Sequence, residues 1–154
     1  MTNLFERILL LKKSDVFSKV ATEDLHIVAQ SLETKSYSIG DRIFDIDDDG
    51  DLMYIIEHGK IGISTNQDPT VKDFIVTLKS GDCFGEMNLL DELPRSATAH
   101  VIEDATLLCL YKDKLHGLIT NYPVLSLGIL KSLSIKLRET TIMLQQANHM
   151  KEQK

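Results

Sequence analysis

Arg95 is the only Lys or Arg between Lys79 and Lys112, and it stands among Asp82, Glu86, Asp91, Glu92, Glu103 and Asp104. A lone cation in such company either pairs with a neighbouring carboxylate or is kept for an anion arriving from outside. An exposed ion pair with Asp91 or Glu92 is one reading, of a kind that is common and weak. The residues before Arg95 supply the other. Gly85 permits backbone angles closed to other residues and lets a ligand approach the main chain. Free N–H groups at the start of a turn over 86–90 would then face that ligand, with a helix dipole behind them. Arginine offers a planar fork that matches two phosphate oxygens. Glu86, nine residues earlier, is acceptor-only when ionised, so it suits a sugar hydroxyl and repels a phosphate. One donor fork, one acceptor and a backbone nest describe a site for a ribose phosphate.

The elements that must position these groups follow from the apolar rhythm. Residues 3–12 read as a helix with Asn3 as its cap, and Thr22 opens a second helix reaching about Ser31. From Glu33 to Tyr111 short apolar runs are punctuated by Gly, Asp and Asn: Arg42–Asp45, Met53–Glu57, Lys60–Ser64, Phe74–Leu78, Ala97–Ile102 and Thr106–Tyr111. Regular short strands of this kind predict a barrel or sandwich. From Lys112 the pattern is helical again, and Pro123 is placed to open a last helix running to about residue 148. Leu130, Leu137 and Leu144 recur every seven residues, as do Ile135 and Ile142, which is the spacing of a two-helix seam. Leu130 and Leu133 are assigned to the face that covers the barrel. Ile142, Met143 and Leu144 lie past its reach and call for a partner, so a homodimer is expected. The polar tail Gln145–Lys154 is expected to fray.

The run Phe84-Gly85-Glu86-Met87-Asn88-Leu89-Leu90, followed by Pro94-Arg95-Ser96-Ala97-Thr98, resembles the phosphate-binding cassette of the cyclic nucleotide-binding domain family. That family includes protein kinase A regulatory subunits, the catabolite activator protein and cyclic nucleotide-gated channels. Gly40-Asp41, Gly50-Asp51-Leu52-Met53-Tyr54-Ile55-Ile56 and Gly59-Lys60-Ile61-Gly62-Ile63 resemble its earlier strands and turns, and the likeness covers roughly residues 10 to 135. It implies a mainly β fold with flanking helices: a double-stranded β-helix, or jelly-roll β-sandwich, with N-terminal helices, a short cassette helix and a long C-terminal helix. The expected layout is one domain over 1–154, with N-terminal helices in 1–32, a β-roll in 33–111 carrying the cassette at 81–98, and C-terminal helices in 112–150.

The resemblance also implies the ligand and its contacts. The expected ligand-binding residues are Phe84, Gly85, Glu86, Met87, Asn88, Arg95, Ser96 and Ala97. Glu86 would accept from the ribose 2′-hydroxyl and Arg95 would pair with the cyclic phosphate. Backbone N–H groups near Gly85, Asn88 and Ser96-Ala97 would complete the cage. Ser96 could reach phosphate or a guanine edge. Family members that prefer cyclic GMP tend to carry threonine there, those that prefer cyclic AMP often carry alanine, and the bacterial activator carries serine. Cyclic AMP is the expected ligand, with cyclic GMP admitted. The C-terminal helix is expected to act as a lid over the base and to carry the signal to an effector protein. A degenerate, ligand-free member that serves as a dimeric docking module is the alternative. Two departures stand out. Asp47 occupies a position where the family has glycine, and Asn88 one often held by alanine.

Composition narrows the remaining classes. The chain has 154 residues, 43% hydrophobic and 26% charged, as an ordinary single-core domain does. No apolar run is long enough to span a bilayer, and Met1-Thr2-Asn3 lacks the features of a signal peptide, so a cytoplasmic location away from membranes is expected. The net charge of −6 opposes non-specific nucleic-acid binding, and no basic recognition helix follows the long helix, so direct DNA binding is not expected. Cys83 and Cys109 read as small buried hydrophobes rather than a disulfide or metal pair. Asp45-x-Asp47-x-Asp49-Gly50 matches half of a calcium loop, but Ile56 stands where the bidentate acid belongs, and an acidic turn is the better reading. The five histidines are scattered without metal spacing, and no nucleophile elbow or phosphate loop motif is present. An enzyme is therefore not expected, and no metal or cofactor beyond the nucleotide.

Overall fold

The computed structural model describes residues 3–152. Helix α1 (Leu4–Lys13) is capped by Asn3, whose Oδ1 accepts from the Glu6 N–H at 2.8 Å. Helix α2 (Thr22–Gln30) carries Glu23 and Asp24 in its first turn, where they complement the helix dipole. Arg7 ties the two together, its Nη1 donating to the carbonyls of Ala29 and Leu32 at 3.2 and 2.9 Å.

Six strands follow: β1 (Glu33–Tyr37), β2 (Arg42–Phe44), β3 (Leu52–Ser64), β4 (Val76–Leu78), β5 (Cys83–Phe84) and β6 (Thr98–Tyr111), with the short helix α3 (Met87–Asp91) between the last two. All pairings are antiparallel. β3 and β6 form the spine; β1 and β2 pair along β6, while β4 and β5 pair along β3. The fold is the expected mainly β roll with flanking helices, and its strands pair antiparallel. Two expected breaks are absent, because Met53–Glu57 and Lys60–Ser64 belong to one strand, as do Ala97–Ile102 and Thr106–Tyr111 apart from Ala97. Irregular register between Ile56 and Ile61 bends the pair without ending it, which is how one long ribbon curls into a roll. β1 was not among the expected strands: Glu33-Thr34-Lys35-Ser36-Tyr37 has little apolar signal, and its pairing with β6 determines it.

Successive side chains on the spine point to opposite faces, and both faces are covered. Met53, Ile55, Leu108 and Leu110 pack among the helices with Leu11, Phe17, Leu25 and Leu115. Leu52, Tyr54, Ile56, Leu107 and Cys109 fill the roll itself. This explains why these runs are almost continuously apolar. Cys109 is buried, Cys83 is half-buried, and both are free thiols.

After β6 come α4 (Lys112–Asn121) and α5 (Pro123–Glu152), with Pro123 at the first helical position of α5 as expected. α5 continues past the expected end and through most of the tail expected to fray; Gln153 and Lys154 lie outside the described residues. Only its first half is seated. Leu125, Gly128, Ile129 and Ser132 are buried, and Leu133 packs on the helical core. Ser132 Oγ accepts from the Lys19 N–H at 2.9 Å, and Lys136 pairs with Asp15 at 3.0 Å. Leu130, assigned above to the covering face, is instead 62% exposed. The 3.6-residue turn puts it opposite Gly128 and Ser132, on a stripe with Leu127, Leu137 and Leu144 that faces away from the domain. From Ser134 onward every described residue of α5 is exposed. No single helix among the described residues is long and apolar enough to cross a membrane.

Gly128 is where α5 meets the turn before α2. A Cβ there would come within 2.9 Å of the Val20 Cα and 3.1 Å of the Lys19 carbonyl. Gly128→Ala is therefore expected to destabilise the protein by about 1–3 kcal/mol, as overpacking does, seen as a lower urea midpoint. An unchanged midpoint would show that α5 is not held at this point.

Candidate ligand-binding site

Chain reversal at the end of β5 builds the site. Gly85 has a φ of +78°, and Glu86 precedes α3, a helix of only five residues ended by Glu92 at φ +61°. So short a helix has little macrodipole, and the dipole support expected from the sequence is correspondingly small. Leu89 anchors α3 in the helical core and is fully buried, while Met87 and Leu90 on the other side are exposed. The chain then returns through Pro94 and Arg95 into β6.

Arg95 is 4% exposed, and none of the ion pairs among the described residues includes it. The alternative of a surface pair with Asp91 or Glu92 is thereby excluded: Glu92 pairs with Lys112 at 3.0 Å, and Asp91 Oδ1 accepts from the Leu93 N–H. Arg95 instead lies inside the cassette. Its Nη1 donates to the Gly85 carbonyl at 2.9 Å and to Asn88 Oδ1 at 2.7 Å, and its Nη2 donates to the Leu52 carbonyl at 2.7 Å. The Phe44 ring stands 4.0 Å from its Cζ. Its Nε is buried without a partner. Burial lowers the Arg95 pKa while Tyr54, Asp51, Asp48 and Glu86 raise it, and a guanidinium stays charged at any working pH.

Two glycines make room for this arrangement. A Cβ on Gly85 would come within 2.5 Å of Arg95 Nη1, and one on Gly50 within 2.2 Å of Nε. The acidic loop between β2 and β3 clasps the same residue from outside. The Asp47 N–H donates to the Arg95 carbonyl, and the Arg95 N–H donates to the Asp48 carbonyl, both at 2.8 Å. Asp47, standing where the family has glycine, adopts φ +72°, a conformation that aspartate tolerates better than most residues. The stretch that matched half a calcium loop is thus a turn around Arg95. Among the described residues no group of three or more His, Cys, Asp or Glu could hold a metal.

Phe84, Gly85, Glu86, Met87, Asn88, Arg95, Ser96 and Ala97 all line one cavity of about 270 Å³. Ser96 is exposed and Asn88 buried. Glu86 is half-buried at its wall. Burial raises its pKa, with help from Asp15, against the opposing pull of Lys136 and Arg95. Cys83 also lines the cavity, and burial pushes its thiol up to about 12, so it is an inert apolar surface. Asp91, Leu93 and Pro94 line it too, as do Phe44 and Ile63, which were not singled out from the sequence. Both sit opposite Ala99 in the sheet register, next to the end of the cassette, and only that pairing brings them there. Tyr54, stacked on Phe84 at 5.0 Å, supports the apolar floor. No residue of α4 or α5 lines the cavity, so the expected lid does not cover it in this arrangement.

Comparison with known proteins agrees with this geometry. The family model described as Cyclic nucleotide-binding domain matches residues 34–122. The chain is 31% identical over 132 residues to the Cyclic AMP receptor protein of Thermus thermophilus, covering 86% of this chain and 61% of that protein. It is 32% identical over 103 residues to a cAMP-dependent protein kinase regulatory subunit of Debaryomyces hansenii, covering 67% of this chain and 22% of the subunit. Among solved structures, the Thermus thermophilus Catabolite Activator Protein superposes with a TM-score of 0.70 at 30% identity, over 87% of this chain and 63% of that one. The regulatory domain of Toxoplasma gondii PKA with cAMP superposes with a TM-score of 0.69 at 25% identity, over 75% and 44%. The chain thus spans less than two thirds of the length of these relatives. A buried arginine behind a Gly-Glu turn, a roll built on two long strands and a family match over more than half the sequence agree: the chain belongs to the cyclic nucleotide-binding domain family.

Proposed function

We propose that this domain binds cyclic AMP in the cavity behind Gly85 and signals through α5. The observation that carries the reading is Arg95: a buried charged group at the cavity wall that takes part in no ion pair among the described residues. A buried cation without a counter-charge is unfavourable, and an arriving anion relieves it. In this reading Arg95 holds the cyclic phosphate and Glu86 accepts from the ribose 2′-hydroxyl. Backbone N–H groups at Gly85, Asn88 and Ser96-Ala97 surround the phosphate. Ser96 favours cyclic AMP and admits cyclic GMP. The names of the relatives support the ligand class, since one is a cyclic AMP receptor and another a cAMP-dependent kinase regulatory subunit.

The output follows from α5. Lys136 pairs with Asp15 where α5 leaves the domain, and both residues act electrostatically on Glu86. A ligand that binds better when α5 closes over the base shifts the population by that difference in affinity. The exposed stripe of Leu127, Leu130, Leu137 and Leu144 supports a homodimer seam, and the domain would signal in the cytoplasm to an effector protein. The net charge of −6 opposes contact of this domain with a DNA backbone. The family is regulatory, and catalysis is not proposed. One observation favours the ligand-free alternative: Arg95 already has three internal acceptors. In that case no cyclic nucleotide raises the melting temperature while the protein still dimerises.

Calorimetric titration decides between them. Cyclic AMP is expected to bind at micromolar concentration or tighter, and Arg95→Ala to weaken binding by about ten- to more than a hundredfold, the loss of a charge-assisted contact of roughly 1.5–3 kcal/mol. An Arg95→Ala protein that is folded and binds as tightly as the parent would overturn the assignment. The raised Glu86 pKa gives a second test. Its stability contribution is fully present below the unfolded pKa and is lost as pH rises through the higher folded pKa, so ionised Glu86 destabilises the ligand-free fold at neutral pH. Glu86→Gln should therefore melt higher than the parent at neutral pH, lose that advantage in acid below the ordinary value of 4.5, and bind cyclic AMP more weakly. Leu137→Glu should shift the protein from dimer to monomer in light scattering; a parent already monomeric at tens of micromolar would remove the seam.

A further inference from the structure

Asn88 is one of two departures from the family pattern, and its side chain is fully engaged. It is 6% exposed, within a helix of five residues. Asparagine is a poor helix former, and burying its amide costs free energy unless both ends are bonded. Both ends are. Its Nδ2 donates to the Gly50 carbonyl at 3.0 Å and its Oδ1 accepts from Arg95 Nη1 at 2.7 Å. The amide cannot be turned the other way, because Arg95 only donates and the Gly50 carbonyl only accepts.

The donors of Arg95 can be accounted for one by one. Of the five N–H groups, the two on Nη1 go to the Gly85 carbonyl and to Asn88, one on Nη2 goes to the Leu52 carbonyl, and the other on Nη2 has no hydrogen bond among the described residues. Nε is sealed from solvent, and Gly50 lies so close that no Cβ would fit. A phosphate oxygen that takes any of the three engaged donors must displace the acceptor already there. Two of the three are main-chain carbonyls fixed by the strand at Leu52 and the turn at Gly85. The third is a side chain that needs only to rotate. Asn88 also lines the cavity from which the phosphate arrives.

We propose that Asn88 is an internal stand-in for a phosphate oxygen, occupying the Arg95 donor until the ligand displaces it, and that it thereby sets the affinity of the site. The proposal rests on the cyclic nucleotide reading above. Because the amide is uncharged, it holds the guanidinium without neutralising it. A phosphate oxygen, as a charged acceptor, makes the stronger bond and wins the exchange. A carboxylate at the same place would not give way, since it would add a contacting charge to those of Asp48, Asp51 and Glu86, which already act on Arg95. The device raises the ligand concentration at which the domain responds while keeping Arg95 ordered in its absence.

The test is calorimetry with cyclic AMP on the parent chain, Asn88→Ala and Asn88→Asp, with melting temperatures taken without ligand. Asn88→Ala should bind about tenfold tighter, the equivalent of one hydrogen bond to a charged group, and yet melt lower because two buried bonds are gone. Affinity and stability moving in opposite directions is a result that a merely structural role does not give. Asn88→Asp, of the same size, should bind at least about tenfold more weakly than the parent. The gain in Asn88→Ala should vanish in the Arg95→Ala background, as coupling through Arg95 requires. Parent binding with Asn88→Ala equal or weaker overturns this role and leaves the proposed function standing. If Asn88→Ala does not fold, Asn88→Asp decides, and affinity equal to or above the parent's overturns the role. Binding by Asn88→Ala where the parent shows none supports it most strongly. Silence from both, with folded proteins, overturns role and function together.

Discussion

A guanidinium enclosed in a β-roll imposes itself on everything near it. Arg95 carries a full charge at 4% exposure, and no carboxylate among the described residues forms an ion pair with it. Such a charge persists only where directed acceptors replace water. Here they are the Leu52 and Gly85 carbonyls and the Asn88 amide, with the Phe44 ring adding a cation–π contact. Each acceptor sits in a different part of the roll, on β3, at the cassette turn and on α3. Arg95 therefore fixes their mutual positions as much as they fix its own. The two glycines at 50 and 85 are consequences of the same packing, since a methyl group at either would occupy space held by the guanidinium.

The same constraint accounts for the acidic loop at residues 45–50. Its backbone closes on both the N–H and the carbonyl of Arg95, and its turn requires a positive φ that Asp47 accepts in place of glycine. The carboxylates of Asp48 and Asp51 act on the buried cation from a distance. They favour the charged form without filling the place where an anion would bind. Distance matters here: a contacting carboxylate would cancel the charge, whereas remote ones stabilise it.

Glu86 links this centre to the rest of the molecule. It feels Arg95 on one side and the Lys136–Asp15 pair on the other, so the cavity wall and the root of α5 share an electrostatic environment. α5 has two distinct halves. The first is locked to the turn before α2 by Gly128, Ser132 and Lys136, and the second projects with all its residues exposed. A helix fixed at its root and free beyond it suits a change of position at small cost.

Much of this could be read from the chain. The cap at Asn3, the start of α5 at Pro123 and the β character of residues 33–111 were legible from local chemistry: a side-chain acceptor at a helix start, a proline at its first turn, and short apolar runs punctuated by turn residues; the eight cavity residues were legible through the resemblance of the cassette to its family. Other features were decided only by the tertiary structure. β1 has no apolar signature and exists because β6 offers it a partner. Phe44 and Ile63 join the cavity through their shared register opposite Ala99. Leu130 belongs to the exposed stripe because the seat of α5 is fixed by Gly128 and Ser132, a choice that heptad spacing alone leaves open. The partners of Arg95 are the clearest case. The sequence showed an isolated cation among carboxylates, either paired with Asp91 or Glu92 or kept for an arriving anion, and named no partner inside the fold. Folding carried the side chain inward to carbonyls 43 and 10 residues away and to an amide 7 residues away, because a buried donor takes the acceptors that long-range packing brings to it.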